Sequence, residues 1–355
     1  MEIKERPEKH ELLLFPVNEF DLGLSHDGPM KITVMSGGVG GARFLQGLLA
    51  AKNLDDEVTV IGNTCDDLWI FGLRVCPDLD TVMYTLGGGI DPVRGWGRTD
   101  ETWNAKDELA AYGADNTWFG LGDRDIATHL VRTQMLNAGK GLAEITQHLC
   151  ERWKPGVWLL PMTEQEVETH IEIVEDGVRK VIHFQEYWIR LQASLPVEAV
   201  ELRGIENASA GPGVVAALRD ADIVILPPSN PIVSVGTILS IDEIRAALRN
   251  TTAPVIGVSP IIGGGAVRGM ADQLLTGLGI EVSAAGVARH YGARSQGGVL
   301  DGWLVDESDA AELATIEDAG ITARAVPLYM TDAEATAKLA QDTLDLAMSL
   351  SKAGR

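Results

Sequence analysis

Apolar and polar positions alternate along this chain in blocks, and the period changes from block to block. Lys31–Met35 (KITVM) is a short apolar run, which predicts a buried strand. Ser36-Gly37-Gly38-Val39-Gly40-Gly41 is a glycine turn. From Ala42 to Ala51, Phe44, Leu45, Leu48 and Leu49 fall on one face at helical spacing. Val58–Ile61 predicts a second strand that ends at Gly62-Asn63-Thr64. Strand, glycine turn, helix and strand together open a doubly wound parallel sheet.

The middle of the chain changes period. Helical spacing runs through Asp80–Leu86, Glu101–Ala111, Ile126–Leu136 and Leu142–Trp153. Val157–Leu160, Thr169–Val174 and Arg179–Gln185 then alternate as strands, with an Asp176-Gly177 hairpin turn between the last two. The α/β rhythm returns with apolar strands at Ile223–Leu226, Pro254–Val258, Gly302–Val305 and Arg324–Val326. An amphipathic helix over Asp332–Leu350 closes the chain.

The fold class that follows is α/β, a Rossmann-like doubly wound parallel sheet with a helical and β-hairpin insertion. Residues 1–29 read as an N-terminal extension and 30–350 as the working domain. Within it, 30–85 and 200–350 are expected to build the sheet and 86–199 to cap it. Ligands of such sheets sit beyond the carboxyl ends of the strands. That directs attention to loops 36–41, 62–67, 227–231 and 259–265.

Charge narrows the partners. The chain has 355 residues and a formal net charge of −22. Without a Lys/Arg run, such a surface repels nucleic acid and anionic lipid, so neither is expected as a partner. No apolar run is long enough to span a bilayer. The three cysteines, Cys65, Cys76 and Cys150, form no C-x-x-C pair, which points to a reducing cytoplasm rather than a disulfide framework.

The candidate chemistry lies in the strand-end loops. Glycines 37, 38, 40 and 41 allow close backbone approach, and free N–H groups at a helix start attract phosphate. The pattern is neither the dinucleotide fingerprint nor a P-loop, and a tight structural turn accounts for it as well. Arg43 either adds charge to a phosphate or lies on the surface. Asn63-Thr64-Cys65-Asp66-Asp67 places two adjacent carboxylates at a strand end, and Asp78-Leu79-Asp80 follows closely. Four carboxylates so near each other are expected to converge on one Mg²⁺, an ion that bridges protein carboxylates to substrate phosphates. The competing reading has Asp78 and Asp80 capping a helix that begins near Thr81.

Further along, Trp96 and Trp103 either stack on a flat heterocycle or plug the core. Asp123 is placed as an N-cap, and Arg124 beside it is a candidate phosphate contact. His129 reads as a buried structural residue or a catalyst. Pro228-Ser229-Asn230-Pro231 and Ser259-Pro260 are either purine- or phosphate-reading loops or rigid turns. No nucleophile elbow and no H-E-x-x-H occurs, so the chemistry reads as positioning plus metal-assisted phosphoryl transfer.

Taken in order, these segments resemble the CofD/FbiA family of coenzyme F-420 biosynthesis. The carrying residues are SGGVGGAR (36–43), GNTCDD (62–67), CPDLDT (76–81), LGDRDIATH (121–129), HFQEYW (183–188), PPSNPIVSVG (227–236) and SPIIGG (259–264). LGGGIDPVRGWG (86–97) resembles the actinobacterial branch.

The resemblance implies a cytoplasmic, homodimeric, Mg²⁺-dependent transferase. Its acceptor would be the deazaflavin FO and its donor a guanosine diphosphate carrying enolpyruvate or lactate. Asp66 matches the family's acidic residue that binds FO or the metal, and Asp80 is the candidate for a second metal ligand and catalytic residue, with Asp67 and Asp78 as further metal ligands. The 37–41 turn matches the phosphate loop, and Ser229, Asn230 and Ser259 match guanosine-side loops. Lys106 falls near an FO-contacting position. Cys65 stands where the family usually has Gly. A non-catalytic relative of the family would carry a D-D-G-G-S-S-G run, and here Asp66-Asp67 is followed by Leu68-Trp69-Ile70. A nicotinamide-dependent dehydrogenase needs an acidic residue closing the second strand, and that strand ends at Gly62-Asn63.

Overall fold

The computed structural model describes residues 28–353 apart from Arg268. Most of the expected N-terminal extension, 1–27, lies outside the described residues. The elements in chain order are β1 (Lys31–Ser36), α1 (Gly38–Ala51), β2 (Glu57–Gly62), β3 (Leu68–Ile70), β4 (Leu73–Val75), α2 (Pro77–Leu86), α3 (Asn104–Ala111), α4 (Asp123–Asn137) and α5 (Leu142–Trp153). They continue with β5 (Trp158–Pro161), β6 (Glu168–Glu175), β7 (Val178–His183), β8 (Val197–Arg203), α6 (Val214–Arg219), β9 (Ile223–Leu226), α7 (Val235–Ile238), α8 (Asp242–Asn250) and β10 (Val255–Val258). The last are β11 (Ile261–Ile262), β12 (Gly265–Ala266), α9 (Ala271–Gly277), α10 (Ala284–Tyr291), β13 (Gly302–Val305), α11 (Leu313–Asp318), β14 (Thr322–Ala325) and α12 (Ala333–Ala353).

Seven strands form the central sheet in the order β14-β13-β10-β9-β1-β2-β5, and every pairing is parallel. Their apolar runs are buried on both faces, as in Ile223–Leu226 and Val255–Val258, because helices cover both sides. One core packs Phe44, Leu45 and Leu48 of α1 with Leu339, Leu344 and Ala347 of α12. The other packs Val224, Val255 and Trp303 beneath α8 and α10.

The chain winds outward from β1 through β2 to β5, then returns to β9 and winds the other way. The topological switch point therefore lies between the tips of β1 and β9, where such folds bind ligands.

Two expectations change here. Strand β5 comes from the 86–199 segment yet forms the edge of the central sheet, so that segment is more than a cap. The rest of the segment forms α3–α5 and part of an antiparallel three-stranded sheet β7-β6-β8, and it too joins the cores, through Ile145 and Leu149 of α5 and Ile171 and Ile173 of β6. The hairpin β3–β4 was not expected, and it carries Arg74 into the site described below.

Candidate active site

Three tips meet at the switch point. After β1 the chain turns at Gly38, whose φ of +63° favours glycine, and enters α1. The loop after β9 lies directly on this turn. Ser229 Oγ donates to the Gly37 carbonyl at 2.9 Å, and a Cβ at Gly40 would stand 2.5 Å from the Pro228 carbonyl oxygen. A Cβ at Gly37 would stand 2.6 Å from Asp78 Oδ2. The glycines thus let the protein's own segments close together, and Gly38–Gly40 stay partly open to solvent.

Helix α2 begins at Pro77, so Asp78 and Asp80 lie in its first turn, one turn earlier than expected. Asp78 Oδ2 accepts from Asn63 Nδ2 at 2.9 Å. Asn63 also donates to the Val233 carbonyl and accepts from Cys65 N and Thr237 Oγ1. It is fully buried with all these groups paired, so it organises the site rather than meeting substrate.

Asp66 is 4% exposed, and its Oδ1 has no hydrogen-bond partner among the described residues. Burial, then the charge of Asp78, then that of Asp67 hold its carboxyl well above the usual range. Burial likewise pushes Asp78 up to about 6 against its Asn63 and Gly38 hydrogen bonds. Among the described residues no Lys or Arg pairs with either group. Ser36 Oγ and Thr64 Oγ1 beside them are also buried without partners.

The four carboxylates do not converge as one set. Asp80 is ion-paired with Arg132, and Asp67 lies 3.6 Å from Arg74. Burial still pushes Asp67 up to about 7, against the lowering pull of Arg74. Asp80 Oδ2 and both Asp67 oxygens are also without hydrogen-bond partners, but the guanidinium on Asp80 already supplies the positive charge that a metal would bring. That corrects its expected catalytic and metal role, and moves Asp67 to the same supporting layer. His129 is 1% exposed and structural. Its Nδ1 accepts from Arg132 Nη1 at 3.0 Å, which leaves the proton on Nε2, 3.3 Å from Asp125.

Several other candidates are placed elsewhere. Arg43 donates to the Thr331 carbonyl at 3.2 Å, tying α1 to the start of α12 instead of to the glycine turn. Ser259 Oγ bonds within its own turn, to the carbonyl and the N–H of Ile261. Asn230 Oδ1 accepts from Ile232 N and Val233 N, which makes its loop a rigid turn, while its Nδ2 has no partner among the described residues.

Trp96 and Trp103 hold Arg94 between them, each 5.0 Å from its guanidinium, and Lys106 stands 5.7 Å over the Trp103 ring. Arg124 reaches toward the Thr99 carbonyl and Asp100, on the exposed rim. Asp123 caps a helix, but α3 rather than its own. It accepts from Asn104 N and Ala105 N, while Glu101 accepts from Arg124 N and Asp125 N at the start of α4. Thr102 Oγ1 also donates to Asp123, and that bond first, then those from Ala105 and Asn104, hold Asp123 down at about 2.

Sequence reasoning missed Arg74 and Arg132. Arg132 carried a signal: Asp125, His129 and Arg132 recur at helical spacing along one face of α4.

No His/Cys/Asp/Glu group of three or more among the described residues forms a metal cage. Two carboxylates are present instead, with an orphaned buried oxygen and no counter-charge. That donor set fits Mg²⁺, which takes one or two protein carboxylates and completes its shell with water and substrate phosphate.

Fold and site define a Rossmann-like α/β protein with a buried acidic pair, one of whose members, Asp78, lies against a glycine turn at its switch point. The chain belongs to the family described as 2-phospho-L-lactate transferase CofD, whose profile matches residues 32–343. A relative from Streptomyces coelicolor named phosphoenolpyruvate transferase is 57% identical over 324 residues, covering 91% of this chain and 100% of its own. One of the same name from Mycolicibacterium smegmatis is 56% identical over 328 residues, covering 90% and 99%. A solved structure of a UPF0052-family protein from Bacillus halodurans shares the fold, with a TM-score of 0.58 at 16% identity over 90% of this chain and 100% of that one. Among the described residues no helix is long and apolar enough to cross a membrane.

Proposed function

We propose that this transferase of coenzyme F-420 biosynthesis moves phosphoenolpyruvate from enolpyruvyl-diphospho-5'-guanosine to FO, giving dehydro-F-420-0 and GMP. The observation that carries the reading is the buried Asp66–Asp78 pair, which no Lys or Arg among the described residues compensates and whose Asp78 packs on the glycine turn. The choice of enolpyruvate over lactate rests on the relatives named phosphoenolpyruvate transferase.

The terminal ribityl hydroxyl of FO attacks the phosphorus that bears the three-carbon acid. The bond from that phosphorus to the bridging oxygen breaks, and GMP leaves with that oxygen. Asp66 has a buried oxygen to spare, which orients the hydroxyl and accepts its proton. The N–H groups in the first turn of α1 that Asp78 and Ser229 do not take would face the diphosphate, where negative charge grows. Asp66 and Asp78 would hold Mg²⁺, which supplies positive charge against the diphosphate. Asn63 holds Asp78 in place, and Ser229 holds the turn. The Asn230 amide is left to read the guanosine side. The reaction runs in the cytoplasm, in a homodimer.

The test is incubation with FO, Mg²⁺ and each candidate donor, read by product mass. The dehydro product from the enolpyruvyl donor is expected. Turnover with the lactyl donor alone would reverse the assignment, and no product from either would sink it.

A further inference from the structure

The acidic residues of the site come in two layers. Asp78 lies against the glycine turn, and Asp66 is buried within reach of its charge. Asp67, next in the same loop, and Asp80, in the same helical turn, point instead to Arg74 and Arg132. When all four are ionised, four carboxylates against two guanidiniums leave two negative charges, the charge that one divalent cation neutralises.

The guanidinium layer is also a mechanical link. Arg132 reaches Asp80 on α2, His129 on its own helix and the Arg74 carbonyl on β4 at once. The Arg74 N–H donates to Thr133 Oγ1 on α4 at 2.9 Å. Asp125 of α4 accepts from Tyr84 Oη at 2.7 Å, so α4 grips α2 near both of its ends. Arg132 is 1% exposed and Arg74 is 4% exposed. A single planar fork with several donors suits three partners; an ammonium cannot serve them all in that geometry.

We propose that Arg132 and Arg74 are positioning residues for the cation site: by fixing Asp80 and Asp67 they set the spacing of Asp78 and Asp66. This rests on the reading that Asp66 and Asp78 hold a divalent cation. The guanidiniums touch neither substrate nor cation. They act on the loop and the helical turn that carry the ligands, as outer partners of metal ligands do elsewhere.

The test uses Mn²⁺ as the probe, titrated by electron paramagnetic resonance into metal-free full-length protein, beside Tm and steady-state kinetics. Arg132→Lys keeps the charge and loses the fork. It is expected to fold and to bind Mn²⁺ about tenfold or more weakly, with kcat reduced and the KM for FO held. The double variant Arg132→Met/Asp80→Asn removes both charges and leaves no unpaired buried ion. It is expected to keep a Tm near that of the parent while showing the same loss of Mn²⁺ affinity.

Parental Mn²⁺ affinity in either folded variant overturns the proposal. Failure of both to fold also overturns it, by assigning the pair to stability alone. Asp66→Asn separates the two readings. If the parent protein binds no Mn²⁺, or Asp66→Asn binds it as tightly as the parent, the cation site itself is wrong, whatever the arginines do.

Discussion

The strand tips of the first half and those of the second half are built from opposite materials. The tip of β2 and the start of α2 carry four buried carboxylates, two of which, Asp66 and Asp78, have no cationic partner among the described residues. The tips of β9 and β10 carry only neutral polar groups, and Ser229, Asn230 and Ser259 spend hydrogen bonds within their own loops or on Gly37. Both sets meet at one switch point. The difference teaches that the first half supplies electrostatics and the second supplies shape. An uncompensated buried carboxylate is costly to the fold, so its persistence marks function, while a self-satisfied hydroxyl has no such cost.

Breaking the charged half has the largest expected effect. Asp66→Asn removes one buried negative charge and keeps the shape. Transfer is expected to fall on the order of a thousandfold or more. Because the parental carboxylate is desolvated beside Asp78, Tm should hold or rise. Activity within tenfold of the parent, or a large fall in Tm, would remove Asp66 from the chemistry.

The second effect is on pH and metal together. Asp78 is raised to about 6 and Asp67 to about 7, both above the ordinary carboxylate value. A raised carboxyl binds its proton more tightly folded than unfolded. Its contribution is therefore intact below about pH 4 and is lost as pH climbs through 6 and 7. For Asp78 alone the loss is on the order of 3 kcal/mol. A divalent cation replaces the lost proton. Its stabilisation, read as the Tm increment on adding Mg²⁺, should be near zero at pH 5 and grow toward pH 8. An increment that is flat with pH would contradict the cation site.

Shape is tested at the glycines. In Gly40→Ala the new methyl meets the Pro228 carbonyl, a backbone atom that cannot rotate away. A cost of about 1–3 kcal/mol and a marked loss of turnover are expected. In Gly41→Ala the obstacles are the Ser36 and Ser229 hydroxyls, which can turn. The cost there should be nearer about 1 kcal/mol, the worth of the Ser229–Gly37 hydrogen bond. Chemical denaturation of both variants checks the order, and the reverse order would mean that the two halves do not meet as described.

The sequence made the sheet legible because each central strand is a short apolar run bounded by a turn, and the parallel order follows from the α/β rhythm. It made the acidic pair legible because two adjacent aspartates at a strand tip repel each other unless a cation joins them. Strand β5 is recognisable as a strand but not placeable, since Trp158–Pro161 pairs with β2 from nearly a hundred residues away. The hairpin β3–β4 is hidden because Leu68–Val75 is too short to show a period. Its turn uses Phe71 and Gly72 at positive φ, an unusual residue beside a usual one. The partners of Asp67 and Asp80 were illegible as partners. Arg132 lies some fifty residues from Asp80, and nothing local distinguishes a buried arginine from an exposed one. The cross-capping of α3 by Asp123 and of α4 by Glu101 escaped for a similar reason: each capping carboxylate lies beside the helix it does not cap.

The smallest effect sharpens the neutral half. Asn230 Oδ1 holds its turn through Ile232 N and Val233 N, and its Nδ2, without a partner among the described residues, is the part offered to a ligand. Asn230→Asp keeps the acceptor and loses the donor, so stability should change by less than about 0.5 kcal/mol. A purine carbonyl or phosphate that the amide served would lose its hydrogen bond and face a negative charge. Both act in one direction, raising the KM for the guanosine donor several-fold. The KM for FO and kcat should hold, because the contact is the same in ground and transition states. If the donor KM is unchanged while the denaturation midpoint falls, Asn230 shapes the loop and reads nothing, and guanosine recognition must be sought outside this turn.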